Sequence, residues 1–347
     1  MSEEKKPAKH IRWSEGFRRL EPDDDRRSIP RRDPFRKREG RAKEGEPFSK
    51  RRESRPPRRE GSRGRGWGER PDFVIRRDRP TAWEKPAEPA AEPNVQSWVR
   101  RMAALKTEKG RDKEQRFLVD GVRCVEEIAR YSASALVKVV TAPGFQNPEL
   151  MGMIKKLGVE VEELSREEID YLSTTVTHQG IVAICNQAVL RPKWETAKLV
   201  TLVDSVQDPG NLGAIFRTSL AFGMDALLLG SGTVDPFNPK VVRGSSGTMM
   251  RVPFETGCDL AEKYQFLCSK GFTIVATSPH ARQELDNIKM RRKVAFLVGN
   301  EGAGADQRLI DAADVTVRIP MSHSLESLNV AVAHGILSAQ LWQMRDK

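Results

Sequence analysis

Apolar runs alternate with amphipathic stretches through the last 150 or so residues of the chain. Runs typical of strands covered on both faces occur at residues 199–204, 226–230, 272–277, 294–298 and 315–319. Segments with helical spacing lie between or after them, at residues 211–222, 238–248 and 328–344. Strand and helix therefore alternate, which predicts an α/β domain over residues 199–347 with a parallel sheet and helices on both faces.

A smaller α/β pattern precedes this sheet. Helical spacing occurs at residues 97–106, 122–131 and 151–157, and strand patterns occur at residues 136–141, 159–163 and 180–185. A basic loop is predicted after the first helix, with Lys106, Lys109, Arg111, Lys113 and Arg116. We therefore expect a small domain over residues 97–186, joined to the sheet domain by a linker at residues 187–198 that contains Pro192.

Residues 1–96 differ from the rest of the chain in composition. The first 90 residues contain 28 Lys and Arg against 18 Asp and Glu, whereas the rest contains 31 against 30. Their apolar residues are sparse and follow no strand or helix period, so this segment cannot bury enough surface to offset its ordering entropy. We expect a disordered basic arm that contacts nucleic acid, with a solvated, solubilising tail as the alternative.

The apolar stretches and the cysteines indicate where in the cell the protein is located. No stretch reaches the roughly 18 consecutive apolar residues that a membrane span needs, and the N-terminus lacks the apolar core of a signal peptide. The cysteines have no metal-ligand spacing, and they are Cys124, Cys185, Cys258 and Cys268. Buried free thiols in a reducing compartment are the simplest interpretation, which predicts a cytosolic protein that is not bound to a membrane.

The first polar segment, Asp204–Arg217, follows the first apolar strand of the large domain. Pro209 and Gly210 favour a strand-to-helix turn, and Asn211 can cap the helix that follows. This structural interpretation does not account for Arg217, because a charged residue in an otherwise apolar helix start needs a partner or a ligand. No G-x-G-x-x-G follows a strand here, which argues against a dinucleotide-binding fold.

The second polar segment is the glycine-rich sequence at residues 299–304, which follows another strand. Its three glycines allow the backbone to approach a ligand closely, and they flank the carboxylate of Glu301. A flexible turn is the alternative interpretation.

The third polar segment opens the last helix at residues 324–329. Ser324 and Ser327 can cap this helix. Asn329 is a poor helix former in an apolar segment, so it should hydrogen-bond to something buried. The helix itself is apolar nearly all round, and a dimer interface is one way to bury such a helix.

In this order, the three segments resemble the three motifs of the SpoU (TrmH-like) family of RNA ribose 2′-O-methyltransferases, over roughly residues 199–345. The resemblance implies a sheet whose C-terminal segment forms a deep trefoil knot, a feature that the usual topology rules do not predict. It also implies a homodimer with the motifs at its interface and S-adenosylmethionine bound in the knot as the methyl donor. Residues 111–185 resemble the RNA-binding domain that often precedes this fold, through Arg116–Arg123 and His178–Gly180.

The resemblance further implies which residues form the site. The positions that match the family's active site are Asn211, Arg217, Glu301, Ser327 and Asn329. The positions that match its main-chain contacts to the adenine and methionine parts are Gly299, Ile319 and Leu328. The segment Arg243–Gly247 is similar to a further family segment near the RNA.

The implied reaction moves a methyl group from a sulfonium to a ribose 2′-oxygen, and it requires no metal. A hydroxyl is a poor nucleophile until its proton is removed or polarised. The family assigns this role to the arginine that matches Arg217. Because arginine is effectively always protonated, Arg217 can alternatively lower the hydroxyl pKa electrostatically. Asn211 would orient Arg217 or the ribose, and the other three active-site positions would hold the RNA and the loop.

Two other functions stay open at this stage. One is a non-catalytic RNA-binding protein that uses the knotted fold as a scaffold, although a scaffold has no need of the five active-site side chains. The other is methylation of a base rather than a ribose, which the Asn-Leu-Gly and Ser-Leu-Asn sequences disfavour. The separate RNA-binding domain and the basic arm favour ribosomal over transfer RNA as the substrate.

Overall fold

The computed structural model describes residues 95–278, 281–285, 293–322 and 327–344. The predicted basic arm lies outside these residues except for Val95 and Gln96, and the predicted helix cap at Ser324 lies outside them as well. Within the described residues the chain forms one four-stranded and one seven-stranded sheet.

The small sheet uses residues 116–186 and mixes strand directions. Its strand order is β1-β4-β2-β3, with β4 antiparallel to both neighbours and β3 parallel to β2. The strands are β1 (Arg116–Asp120), β2 (Leu136–Thr141), β3 (Glu160–Glu163) and β4 (Ile181–Asn186). The helices are α1 (Ser97–Ala103), α2 (Glu108–Glu114), α3 (Val122–Tyr131), α4 (Pro148–Lys156) and α5 (Arg166–Leu172).

The large sheet is parallel throughout, which confirms the predicted α/β fold with a parallel sheet. Its strand order is β7-β6-β5-β10-β8-β11-β9. The strands are β5 (Leu199–Val203), β6 (Ala226–Gly230), β7 (Phe254–Cys258), β8 (Thr273–Thr277), β9 (Gln283–Glu284), β10 (Val294–Val298) and β11 (Val315–Arg318). The helices are α6 (Pro209–Ala221), α7 (Pro239–Gly244), α8 (Leu260–Ser269), α9 (Gln307–Ala312) and α10 (Val330–Met344).

Two sequence-based predictions are corrected at helix starts. Helix α6 begins at Pro209 rather than Asn211, because Asp208 accepts the hydrogen bond from the Asn211 N–H and is the N-cap. The middle of the predicted basic loop is instead helix α2, which Thr107 caps by accepting from the Gly110 N–H. Charged residues are common on exposed helix faces, so the lack of an apolar stripe did not exclude a helix.

One apolar cluster joins the two sheets, and each sheet also packs a separate cluster of its own. Phe117 of β1 lies 5.0 Å, centroid to centroid, from Phe237, which follows β6 in the large domain. Arg251 of the large domain pairs with Glu127 of α3 at 2.9 Å and lies over the Tyr131 ring at 3.8 Å. Strand β1 and helix α3 are therefore held against the segment between β6 and β7.

The last helix has one buried and one exposed apolar side. Leu337 and Leu341 are buried against the core, whereas Val332 and Ile336 are 51% and 39% exposed. Of the cysteines, Cys124, Cys185 and Cys258 are buried and Cys268 is half-buried, and all four are free thiols.

Within the described ranges, none of the helices combines the length and apolar character that crossing a bilayer would take.

Candidate functional site

Three polar loops meet at the carboxyl edge of the large sheet. They follow β5, β10 and β11, and β10 lies directly beside β5 in the sheet. Parallel strands all end at the same edge, where α/β proteins build their sites. The loop after β5 leads into helix α6, whose first turn carries Asn211. The loop after β10 carries Glu301, and the segment after β11 leads to Asn329.

The Asn211 side chain is free to bind other loops because Asp208 caps helix α6. Its Nδ2 donates a hydrogen bond of 2.9 Å to Oε1 of Glu301. Its Oδ1 accepts a hydrogen bond of 2.9 Å from Nδ2 of Asn329. One amide side chain therefore links the loops that follow β5 and β10 to the start of the last helix.

Glu301 is the common acceptor of this network. Besides Asn211, its carboxylate accepts from the backbone N–H groups of Asp208 at 3.2 Å and Gln207 at 3.4 Å. Burial raises the pKa of Glu301, but these hydrogen bonds together outweigh it, so the pKa lies below its usual value. The carboxylate is consequently ionised at neutral pH and fixes the start of α6.

Asn329 lies at the N-terminus of helix α10 rather than inside it. Its Oδ1 accepts from the backbone N–H groups of Ala331 at 2.9 Å and Val332 at 3.3 Å. The prediction that Asn329 hydrogen-bonds is right, but its environment is exposed and not buried. An N-cap is a position where asparagine is favourable, which explains this residue at the edge of an apolar helix.

The glycine-rich loop closes on itself through hydrogen bonds. Backbone hydrogen bonds of 3.0 Å join Asn300 and Gly304 in both directions. The Asn300 side chain accepts from the N–H groups of Gly302 and Ala303, and it donates to the carbonyl of Ser205 at 2.9 Å. Asn300, which sequence reasoning missed, thus fastens the Glu301 loop to the loop after β5.

The candidate cofactor residues lie around the same edge. Gly299 and Ile319 follow β10 and β11, which are separated in the sheet by β8 alone. A Cβ on Gly299 would come within 2.1 Å of the backbone nitrogen of Ala305, so only glycine fits there. Ile319 is half-buried against the core, and Leu328 is half-buried just before α10. Bare backbone at Gly299 and half-buried apolar side chains at Ile319 and Leu328 are residue types that suit a flat, weakly polar ring such as adenine.

Arg217 and Ser327 stand apart from the hydrogen-bonded network. Both are exposed, and Arg217 forms no hydrogen bond or ion pair with another described residue. Arg217 lies one turn after Gly213, whose backbone packs directly on that of Gly244 in α7. The exposed Arg243 is next to Gly244, so two arginines flank the crossing of α6 and α7.

A buried histidine lies behind the site and was also missed from the sequence. His334 of α10 is fully buried, with Nδ1 2.7 Å from Oγ1 of Thr218 on α6. Its Nε2 lies 3.3 Å from the hydroxyls of Thr201 and Ser219. Burial lowers the pKa of His334 to about 3, so the ring is neutral. Polar residues inside apolar runs of α6, β5 and α10 were the signal that could have revealed this cluster.

Comparison with known proteins shows which family the chain resembles. Residues 198–339 match the model described as the SpoU rRNA methylase family, and residues 118–189 match the one described as RNA 2′-O ribose methyltransferase substrate binding. The chain is 34% identical over 253 residues to the 23S rRNA (guanosine(2553)-2′-O)-methyltransferase of Bacillus subtilis, covering 73% of this chain and 97% of the relative.

Solved structures give the same result. A crystal structure of an RNA 2′-O ribose methyltransferase matches with a TM-score of 0.64 and 28% identity, over 74% of this chain and 98% of the other. An S-adenosylmethionine-bound rRNA methyltransferase from Sinorhizobium meliloti matches with a TM-score of 0.61 and 26% identity, over 72% and 96%.

The fold and the three motif loops thus define an RNA ribose 2′-O-methyltransferase that takes its methyl group from S-adenosylmethionine. The chain belongs to the SpoU rRNA methylase family. The structure brings Asn211, Glu301 and Asn329 into direct contact, which the order of the motifs in the sequence could not establish.

Proposed function

We propose that this protein methylates a ribose 2′-hydroxyl of ribosomal RNA. The observation that carries the proposal is the hydrogen-bonded chain from Glu301 through Asn211 to Asn329, because it joins all three motif loops into one prearranged site. The Bacillus subtilis relative acts on a guanosine of 23S rRNA, which supports ribosomal over transfer RNA. A ribosomal substrate agrees with the cytosolic location that the sequence predicts.

We propose a separate role for each of the segments predicted from the sequence. Residues 97–186 would hold the RNA, residues 199–347 would transfer the methyl group, and residues 187–198 would join them. The basic arm, residues 1–96, would add contacts to phosphates that do not depend on sequence. The match of residues 118–189 to a substrate-binding model supports the RNA-holding role of residues 97–186.

Within the site, the three contacting residues would act by holding the loops still. Glu301 fixes the N-terminus of α6 through two backbone N–H groups and Asn211. Arg217, six residues after Asn211 on helix α6, is exposed, so its guanidinium donors would be available to the RNA. We propose that it polarises the target hydroxyl electrostatically and contacts the neighbouring phosphate, since a guanidinium stays protonated.

S-adenosylmethionine, when bound, supplies a methyl group already activated on a positively charged sulfur. Gly299, Ile319 and Leu328 would hold it, the first two from the ends of β10 and β11. Ser327, exposed just before Asn329, would contact the RNA beside the transferred group. Binding by fixed backbone groups orients the two reactants, which is a large part of what accelerates such a transfer.

The family resemblance also proposes a homodimer and a C-terminal trefoil knot. Exposed Val332 and Ile336 on α10 support a second copy packing on this helix. The path of the chain supports the knot, since β11 joins the sheet three positions from β5 and the chain then returns to pack α10 on α6.

The test of the proposed function is transfer of labelled methyl from S-adenosylmethionine to ribosomal RNA that lacks this modification, followed by nucleoside analysis. We expect label in a 2′-O-methyl nucleoside. The Arg217→Ala variant should lose transfer by about 100-fold or more, as removal of one electrostatic transition-state contact does in other enzymes. Its affinity for S-adenosylmethionine, measured by calorimetry, should stay normal.

A matched control is Arg191→Ala, which removes an exposed arginine from the linker and should leave transfer unchanged. Full activity of Arg217→Ala would remove Arg217 from the chemistry. Label in a methylated base would replace ribose by base methylation, and absence of both transfer and S-adenosylmethionine binding would favour the RNA-binding scaffold.

A further inference from the structure

A buried ion pair joins the small domain to the large one. Arg111 of α2 is only 2% exposed, although it belongs to a helix that is otherwise charged and solvated. Its Nε and Nη2 lie 2.7 and 2.5 Å from Oδ2 of Asp235, in the loop after β6 of the large domain. Its Nη1 donates to the carbonyls of Leu105 and Lys106 at 2.9 and 3.1 Å.

The position of the arginine is tightly determined on the small-domain side. A Cβ on the preceding Gly110 would lie 2.0 Å from the carbonyl oxygen of Ala104, so α2 packs against the turn before it. The carbonyl of Arg111 itself accepts from the Gln187 side chain at 3.3 Å, at the start of the linker. A buried charge is costly unless it is paired and hydrogen-bonded, which favours this one arrangement over others.

On the large-domain side, Asp235 connects to the loop after β5. The other carboxylate oxygen of Asp235 accepts from the Phe237 N–H at 2.8 Å, which fixes the turn that carries it. The adjacent Val234 N–H donates to the carbonyl of Val206 at 2.9 Å. Val206 lies in the same loop as Gln207 and Asp208, whose N–H groups hold Glu301.

A second link runs in parallel from the same loop. Oγ of Ser205 donates to the carbonyl of Ser231 at 3.2 Å, and the carbonyl of Ser205 accepts from Asn300 of the glycine-rich loop. The loop at residues 231–238 is therefore bonded directly to Arg111 and to the loop after β5, and Ser205 of that loop in turn holds Asn300 of the glycine-rich loop. A continuous set of hydrogen bonds runs from the small domain to the residues around Glu301.

We propose that Arg111 is a positioning residue for methyl transfer, in that its pair with Asp235 sets the register between the RNA-binding domain and the motif loops. This inference rests on the proposed function, because it assumes that RNA held by the small domain must reach a ribose-methylating site. An RNA bound to the small domain would then present one nucleotide at a fixed distance from the site. Arg111 itself touches neither RNA nor methyl donor.

The test compares the full-length Arg111→Met and Arg111→Lys variants with wild type. Arg111→Met removes all four bonds of the guanidinium, whereas a lysine can keep a contact to Asp235 but not the fork geometry. We expect kcat/KM for ribosomal RNA to fall about tenfold or more in Arg111→Met and less in Arg111→Lys, with unchanged affinity for S-adenosylmethionine. Arg111→Lys also serves as the folded variant if Arg111→Met is too unstable to purify.

Hydrogen exchange supplies a readout that does not depend on activity. Arg111→Met should speed amide exchange at residues 231–238 and 205–207 while leaving β5 and β10 as protected as in wild type. The matched control is Arg101→Met, which removes the paired but exposed Arg101, bonded to Glu114 at 2.7 Å on a neighbouring helix of the same domain. That variant should change neither exchange nor transfer.

Normal exchange in both loop segments together with wild-type kcat/KM in Arg111→Met would overturn the proposal. So would an equal effect of Arg101→Met, or a loss of S-adenosylmethionine affinity in proportion to activity, since either would indicate general loosening of the structure. A wild-type protein that transfers no methyl to ribose would refute the proposed function instead, and the exchange measurement would still decide whether Arg111 couples the two domains.

Discussion

Acidification should destabilise this protein through His334, a group that only the unfolded chain can protonate. The pKa of His334 falls from 6.5 to about 3 on folding, because the ring is fully buried. Its neighbours are the hydroxyls of Thr218, Thr201 and Ser219 on two elements and Ser338 on its own helix. These neutral groups supply no charge that would stabilise an imidazolium.

The sign of the effect follows from proton linkage. Above pH 6.5 neither state is protonated at His334, so the stability is complete. As the pH falls below 6.5 the unfolded chain binds a proton that the folded chain does not, and stability is lost until pH about 3. Each pH unit in this window costs about 1.4 kcal/mol, so the loss between pH 7 and pH 5 is about 2 kcal/mol.

The assay is urea unfolding followed by tryptophan fluorescence at pH 7 and pH 5, at one fixed protein concentration. Carboxylates whose pKa is lowered on folding, such as Glu301, also lose stability on acidification, so the comparison must be between variants. His334→Gln should be less stable at pH 7 because it loses ring contacts, yet its further loss on going to pH 5 should be about 2 kcal/mol smaller than in wild type.

Leu337→Ala is the matched control, since it removes a buried side chain from the same helix and keeps the histidine. It should lower stability at both pH values by a similar amount, about 2 to 5 kcal/mol, without changing the pH dependence. If His334→Gln loses as much stability between pH 7 and pH 5 as wild type does, then the buried ring is not the proton-linked group and the argument is wrong.

Two further predictions concern the motif loops. Glu301→Ala should slow methyl transfer by about 10- to 100-fold, because it removes three hydrogen bonds that hold the start of α6, each worth about 0.5–1.5 kcal/mol net. Single-turnover rates would measure this. Gly299→Ala should weaken S-adenosylmethionine binding in calorimetry, because its Cβ would collide with the backbone of Ala305, whereas Gly152→Ala, with nothing within 4 Å, should bind normally.

The sequence was sufficient to predict the fold class because its strands are strongly apolar. The run at residues 199–203 and the one at 294–298 are buried on both faces, and few structures other than a covered parallel strand tolerate that pattern. Strand β7 was missed because only its ends, Phe254 and Cys258, are buried. An edge strand of that kind leaves almost no periodic signal.

Local capping patterns could not decide how the motif side chains are used. Asp208 and Asn211 are both good N-cap residues. The sequence-based prediction took Asn211 as the cap, so its start of α6 was wrong. The structure resolves the choice because Asp208 binds the helix and leaves the amide of Asn211 for Glu301 and Asn329. Those contacts join residues about 90 and 118 positions apart, a separation at which local patterns carry no information.

The arrangement of the site separates residues that are already bound from residues that are available. Glu301, Asn211 and Asn329 satisfy one another and the backbone before any substrate arrives, so they cost no reorganisation when RNA binds. Arg217 is exposed on α6, the helix that carries Asn211. Its guanidinium donors form no hydrogen bond with another described residue. Because a charged group without a protein partner gains most from an incoming phosphate or a developing oxyanion, Arg217 is where substrate-dependent stabilisation should appear. The fixed network of Glu301, Asn211 and Asn329 would make that stabilisation specific to one position of the bound RNA.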